Sequence, residues 1–263
     1  MRIYFELARR AFQQQFAYQA ATLAGLFTNS IFGVMLASVY LGLFDSQAPG
    51  ASVEGFDAQQ TVTYVWIGQA LIMPVYLWGW WEIIQTIRTG AVVTDMLKPT
   101  DYFTYWLSRD LGRAAAHVLL RFAPTLLIGA LMFDLVYPDS PWRWLGFLAS
   151  IPLAIVVSFC FRFIFNLWGF WVLDHRGIAG FAIVLVGVFS GHLLPIAWYP
   201  SPLREIINAL PFRAIVMSPV EIYLGQVGVL AGLGLQLFWV VVMIAAARWL
   251  QSIAEQKVVV QGG

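Results

Sequence analysis

Charge is the scarcest property of this 263-residue chain. Only 11% of its residues are charged, against 60% hydrophobic and 16% aromatic, with mean hydropathy +0.74. A water-soluble domain carries about a quarter charged residues, so that class is excluded and a membrane protein is implied. Lysine is nearly missing. Lys98 follows Leu97 and Lys257 follows Gln256, so the glycine-lysine-serine/threonine turn that cradles phosphates in a P-loop does not occur, and ATP hydrolysis by that mechanism is excluded. The one cysteine, Cys160, sits in the apolar run "VVSFCFRF" and reads as a small buried hydrophobe without an intramolecular disulfide. His117, His175 and His192 are scattered, with no cysteine or carboxylate at ligand spacing, and no nucleophile elbow is present. Neither a metal centre nor a catalytic or cofactor site is expected in this chain. The start "MRIYFELARRAFQQQF" is too charged ahead of its apolar run for a signal peptide and reads as part of the mature protein.

What the chain has instead is long apolar runs. A helix needs about 20 mostly apolar residues to cross the hydrocarbon core. Six stretches qualify: 17–44, 58–84, 114–137, 142–173, 177–194 and 222–249. The expected fold is all-α, a single polytopic domain over 1–263 with six transmembrane helices. Basic residues fall unevenly about these runs. With the N-terminus inside, twelve lie at or toward the cytoplasm and three, Arg143, Arg204 and Arg213, lie outside. Positively charged loops stay inside, so both termini are expected in the cytoplasm. The loop "DSQAPGASVEGFD", without a basic residue, is then external.

Three segments do not read as simple spans. Residues 1–16 place Ile3, Leu7, Ala8, Ala11 and Phe12 near one stripe, with most of the charge elsewhere, which suits a helix lying along the inner membrane surface. Residues 88–110, "RTGAVVTDMLKPTDYFTYWLSRD", form the longest inner polar segment. Pro99 stops one helix and Thr100 can cap the next, giving a helix, a kink and a second helix that runs into the third span. An interfacial loop with its aromatics at the headgroups is the plainer reading. Residues 195–221 hold Pro195, Pro200, Pro202, Pro211 and Pro219 between short apolar pieces, read as outer re-entrant helices or as a surface cap.

Carboxylates such as Glu82, Asp134, Asp45 and Asp174 stand at the ends of the runs, which argues against a proton- or sodium-driven carrier. The charges inside the runs are Arg121 and Arg162. Each costs about 2.5–3.5 kcal/mol at mid-bilayer unless it snorkels to the inner edge or lines a wet, inward-facing vestibule for an anionic or zwitterionic headgroup. Small residues at Gly25, Gly33, Gly228 and Gly232 offer faces for close helix packing with another membrane subunit.

The start "RIYFELARRAFQQQFAYQ", the segment "TGAVVTDMLKPTDYFTYWLSRDLG" and the outer "GHLLPIAWYPSPLREIINALPF" leading to "SPVEIYLG" stand in the order and topology of a known family. The chain resembles the small six-span permease subunits of ABC type-2 exporters. That resemblance implies a pathway for a hydrophobic or amphiphilic substrate, worked by two separate ATPase subunits that carry ATP and magnesium, beside an identical or homologous second permease. It implies a bacterial inner-membrane location among lipids, with no nucleic acid. It also implies that 88–110 is the coupling segment, touching the ATPase through Ala91, Asp95, Lys98, Pro99 and Asp101, with Arg9 and Arg10 of the first helix against the same subunit. The competing reading is an ATP-independent membrane protein, either a lipid-modifying enzyme or an assembly scaffold.

Overall fold

The computed structural model describes residues 2–45, 48, 50–77, 81–172 and 176–257, with the side chains of Arg176 and Ile178 left aside. Asp174 and His175 of the expected inner turn, and residues 78–80 within the expected second span, lie outside these. Among the described residues the fold is all-α, with one isolated bridge between Val53 and Phe56 and no strand. Its helices are α1 (Arg2–Gln15), α2 (Gln19–Leu41), α3 (Ala58–Val75), α4 (Glu82–Arg88), α5 (Val92–Met96), α6 (Tyr102–His117), α7 (Ala123–Met132), α8 (Pro141–Leu167), α9 (Arg176–Phe189), α10 (Leu203–Asn208), α11 (Met217–Leu224) and α12 (Val229–Glu255).

Four helical stretches among the described residues are long and apolar enough to cross a membrane: Gln19–Leu41, Tyr102–Met132, Pro141–Phe170 and Val229–Glu255. Their outer faces carry large apolar side chains. On α2, Leu23, Phe27, Ile31, Met35 and Val39 recur every four residues and all stay exposed, the row that a lipid-facing helix presents. The second of these stretches, Tyr102–Met132, begins earlier than the expected third span, 114–137. It is one continuous helix from Tyr102, because α6 and α7 are joined by a π-helical turn, Val118–Phe122. The polar residues 102–110, expected to precede the span, are therefore the first turns of the same helix.

The second expected span is built differently from its neighbours. From Thr61 to Ile72 α3 is buried throughout, with Trp66 and Leu71 fully enclosed, and it touches α2, α6, α7 and α8. A helix surrounded by protein tolerates Gln59, Gln60, Thr61, Thr63 and Gln69, which lower its hydropathy. It starts in a capping box, the Asp57 carboxylate accepting from Gln60 N–H at 2.7 Å while Gln60 accepts from Asp57 N–H at 3.3 Å. It ends abruptly after Pro74, where Tyr76 takes a left-handed conformation (φ 54°).

The end of the proline-rich stretch is part of the core, while Pro200, Pro202 and Ile206 earlier in it are exposed. Each residue from Met217 to Leu224 other than Glu221 is buried, α11 packing on α8 and α12. Its irregular approach is satisfied from inside: Gln236 Nε2 on α12 donates to the Ala214 carbonyl at 2.9 Å and to the Ser150 carbonyl at 3.2 Å, and Tyr64 Oη donates to the carbonyl of Gly191 at 2.7 Å. Buried non-helical backbone needs such partners. The sixth expected span, 222–249, is thus two elements, with α11 ending at a left-handed Gly225 and α12 beginning at Val229.

Candidate functional site

The break after α3 leaves the carbonyls of Pro74 and Val75 without helical partners and that of Met73 with only a 3.3 Å bond from the Tyr76 N–H, as any helix end does. Two side chains from other helices serve them. Arg113 of α6 donates from Nη1 to Met73 at 2.7 Å and from Nη2 to Pro74 at 3.0 Å, and the Ser158 hydroxyl of α8 donates to Val75. Two positive guanidiniums suit this spot, because the C-terminal end of a helix carries partial negative charge. The Tyr76 ring lies against both, 4.6 Å from the Arg113 guanidinium carbon and 5.7 Å from that of Arg162.

Asp110 holds these two arginines together. Its carboxylate accepts from Arg113 Nε at 2.8 Å and from both terminal nitrogens of Arg162 at 3.1 and 2.8 Å. Asp110 is 2% exposed and Arg162 7%. The paired, bidentate geometry is the strong form of a guanidinium–carboxylate contact. It corrects two expectations. A carboxylate does lie deep inside the helical bundle, and Arg162 neither snorkels nor lines an open vestibule, being fixed by Asp110.

Arg121 is a different case. It is also 7% exposed, and its Nη2 donates to the Ala21 carbonyl of α2 at 2.9 Å, but Nε has no hydrogen-bond partner and no carboxylate pairs with it among the described residues. The guanidinium lies flat on Gly25, where a Cβ would sit 1.9 Å from Nη1. Arg121, His117, Arg113 and Arg109 face a cavity of about 460 Å³ whose other walls include Gln14 of α1 and Thr22 of α2. At its edge Arg109 donates to Glu82 at 2.7 Å and stacks 4.6 Å from the Trp106 ring.

The helix α1 closes one side of this cavity by packing on α6. Gly112 makes this close approach available, since a Cβ there would stand 1.9 Å from the Ala8 carbonyl oxygen. Tyr4, Leu7, Ala8 and Ala11 are the more covered residues of α1, while Ile3 and Phe5 remain exposed. Much of the stripe expected to rest on lipid therefore rests on protein.

At the same end lies the turn between α5 and α6. Lys98 Nζ donates to Asp95 at 2.6 Å and to Tyr105 Oη at 3.2 Å. The Asp95 hydrogen bond is the largest cause holding the Lys98 ammonium above its ordinary pKa. Asp101 caps α6 through Thr104 N–H at 2.9 Å, accepts from Arg248 of α12 at 3.0 Å, and its own N–H donates to Tyr4 Oη at 3.0 Å. Partial burial works to raise its pKa, but the Thr104 and Arg248 hydrogen bonds outweigh that and leave it lowered. The polar atoms expected to reach outward are thus engaged within the chain. What stays exposed is Ala91, Thr94, Leu97 and Pro99, with Leu97 80% exposed. Arg9 and Arg10 are exposed as well and share Glu6.

Residues 33–262 match the family model described as ABC-2 family transporter protein. The chain belongs to that family. No curated protein matches it. Four helices of spanning length and a family match over most of the chain make this ABC-2 protein a multi-pass membrane component of a transporter.

Of the four glycines considered for contact with a second permease, three meet their own chain in this ABC-2 protein. Gly25 meets Arg121, Gly33 lies 3.1 Å (from the position of a Cβ) off Trp66, and Gly232 approaches Ile222, while Gly228 has open space around it. The residues that sequence reasoning passed over are Asp110, Arg113 and His117. With Arg121 they recur at spacings of three, four and four, one face of a helix. The stripe lies on the helix expected to run from the turn at Pro99 into the third span, but its first turns were assigned to the coupling segment and not to the bundle.

Proposed function

We propose that this ABC-2 protein is the permease subunit of an exporter driven by a separate ATPase. It crosses the bacterial inner membrane six times, with α3 as the enclosed second span, α9 as the fifth and both termini in the cytoplasm. The pathway for a hydrophobic or amphiphilic substrate forms with a second permease, identical or homologous, and ATP with magnesium binds on two ATPase subunits.

One observation carries the coupling role. Ala91, Thr94 and Leu97 stand three residues apart, exposed on a single side of a short helical knob, and that knob is braced by Lys98–Asp95 behind it and by the Asp101 links to Tyr4 and Arg248 beside it. A large exposed apolar side chain on a braced turn suits a groove in a partner. The contact surface is Ala91, Leu97 and Pro99, with Arg9 and Arg10 reaching the same subunit from α1. Asp95, Lys98 and Asp101 give the knob its rigidity instead of meeting the ATPase directly.

The test is purification of the tagged chain in mild detergent, identification of the subunit that co-elutes and assay of its ATPase activity. Leu97→Asp is expected to remove a stoichiometric ATPase and leave membrane insertion unchanged. Undiminished co-elution with Leu97→Asp would take the coupling role away from this turn, and a chain that elutes with no ATPase would return the lipid-enzyme and scaffold readings.

A further inference from the structure

We propose that the cavity between α1, α2 and α6 is a binding site for an anionic phosphate group, with Arg121 as its principal ligand. Four guanidiniums, those of Arg109, Arg113, Arg121 and Arg162, stand in or directly behind its wall, and the carboxylates with them are Glu82 and Asp110. The excess is positive, and it is not spread evenly. Arg109 has Glu82, and Arg113 and Arg162 share Asp110, so the uncompensated charge gathers on Arg121.

Arg121 is more than nine-tenths buried, its Nε has no partner and it borders the cavity. His117, one turn back on the same face, is 5% exposed and its Nδ1 also lacks a partner. A buried guanidinium without a counter-charge is expensive, and an entering anion supplies what is missing. Guanidinium is the side chain best matched to phosphate, whose oxygens it can meet two at a time. The position is also built for it: Gly25 gives the room for the side chain to lie across α2, and the π-helical turn of Val118–Phe122 places it there.

The cavity, about 460 Å³, has room for a headgroup. Tyr18, which lines the cavity, and Phe16 and Leu23, next to lining residues in sequence, are exposed, so apolar surface adjoins a cationic interior. That combination fits a phosphate attached to acyl chains, and a free phosphate shares its headgroup chemistry. The site does not depend on the ATPase-coupling reading, because binding is measured without turnover.

The experiment uses the full chain with its co-eluting subunits in phosphatidylcholine nanodiscs. In one arm phosphatidylglycerol is added in trace and the retained lipid is counted by native mass spectrometry. In the other, inorganic phosphate is titrated and its phosphorus resonance followed for broadening. Arg121→Gln is expected to weaken binding by about tenfold, the loss of one charge-assisted hydrogen bond. Gln14→Glu, at an exposed wall position, brings a carboxylate into the cavity without touching the core and is expected to weaken it similarly. Loss in the first arm names a lipid headgroup as the ligand, and loss in the second alone names free phosphate. Binding of both probes at wild-type strength in Arg121→Gln, or in Gln14→Glu should Arg121→Gln not fold, overturns the proposal.

Discussion

Arg162 and Arg121 are equally buried, at 7% exposure each, yet they sit in opposite electrostatic states. Arg162 meets a carboxylate with two parallel hydrogen bonds, and Asp110 in turn ties it to Arg113 and to the broken end of α3. Arg121 has one carbonyl and an open cavity. Burial alone therefore says little about what an intramembrane charge does. The partner decides, and the first arginine reads as architecture while the second reads as a site.

Removing Asp110 should give the largest effect. Asp110→Asn leaves Arg113 and Arg162 buried with no negative charge between them, a change that costs about 3–5 kcal/mol when one partner of a buried pair is lost. Denaturant unfolding in mixed micelles would measure it. Replacing Asp110 by Leu together with Arg162 by Met removes the charge pair as a unit and should recover at least half of that loss. A double variant as unstable as the single one would show that the pair's role is in orienting Tyr76 and Arg113 and not in charge compensation.

The seam between α1 and α6 comes next. Gly112→Ala drives a methyl into the Ala8 carbonyl, which is backbone and cannot turn aside. The expected cost is about 1–3 kcal/mol, as for other overpacked contacts. It should appear as faster amide exchange along α1 with the exchange of α8 and α12 unchanged. Protection of α1 at wild-type levels would mean that α6 yields and the seam is softer than its geometry implies.

Arg121→Met sharpens the comparison from the other side. A buried arginine that lacks a counter-charge costs the fold stability, so this variant should destabilise by no more than about 1 kcal/mol and is free to gain, in contrast to Asp110→Asn. A loss as large as that of Asp110→Asn would mean that Arg121 is structural and would remove the distinction between the two arginines.

Sequence alone reached the class of the molecule and its apolar helices because hydropathy over about 20 residues is a strong signal. It placed Pro99 at the turn but expected Thr100 to cap the next helix, whereas the cap of α6 is Asp101, one residue on, whose carboxylate reaches the Thr104 N–H. It ran the helix after Pro99 into the third expected span but began the span itself at 114, whereas the stretch long and apolar enough to cross a membrane begins at Tyr102. Arg109, Asp110 and Arg113 look like the end of an aqueous loop, since nothing local reveals that Arg162, 52 residues on, neutralises them. The same blindness to distant partners assigned Gly25 to an interface between subunits when its occupant is the Arg121 side chain. Pairing across the bundle is a tertiary fact. A helical stripe at spacings of three and four was its only trace in the sequence.

The smallest expected effect concerns the exposed counterpart of the buried triad, the Asp101–Arg248 link that fastens α6 to α12 beside Tyr4. Asp101 is partly exposed, so its ion pair should contribute only about 0.2–1 kcal/mol. The sign of its pH dependence is fixed by the lowered pKa of Asp101. Its contribution is fully present at neutral pH, above the unfolded carboxylate value, and is lost as pH falls through the folded one. Wild type should therefore lose more stability than Asp101→Asn between neutral pH and the acid limb, by no more than that amount. A wild-type loss of several kcal/mol over the same range would mean that some part other than the exposed Asp101–Arg248 link is what acid opens.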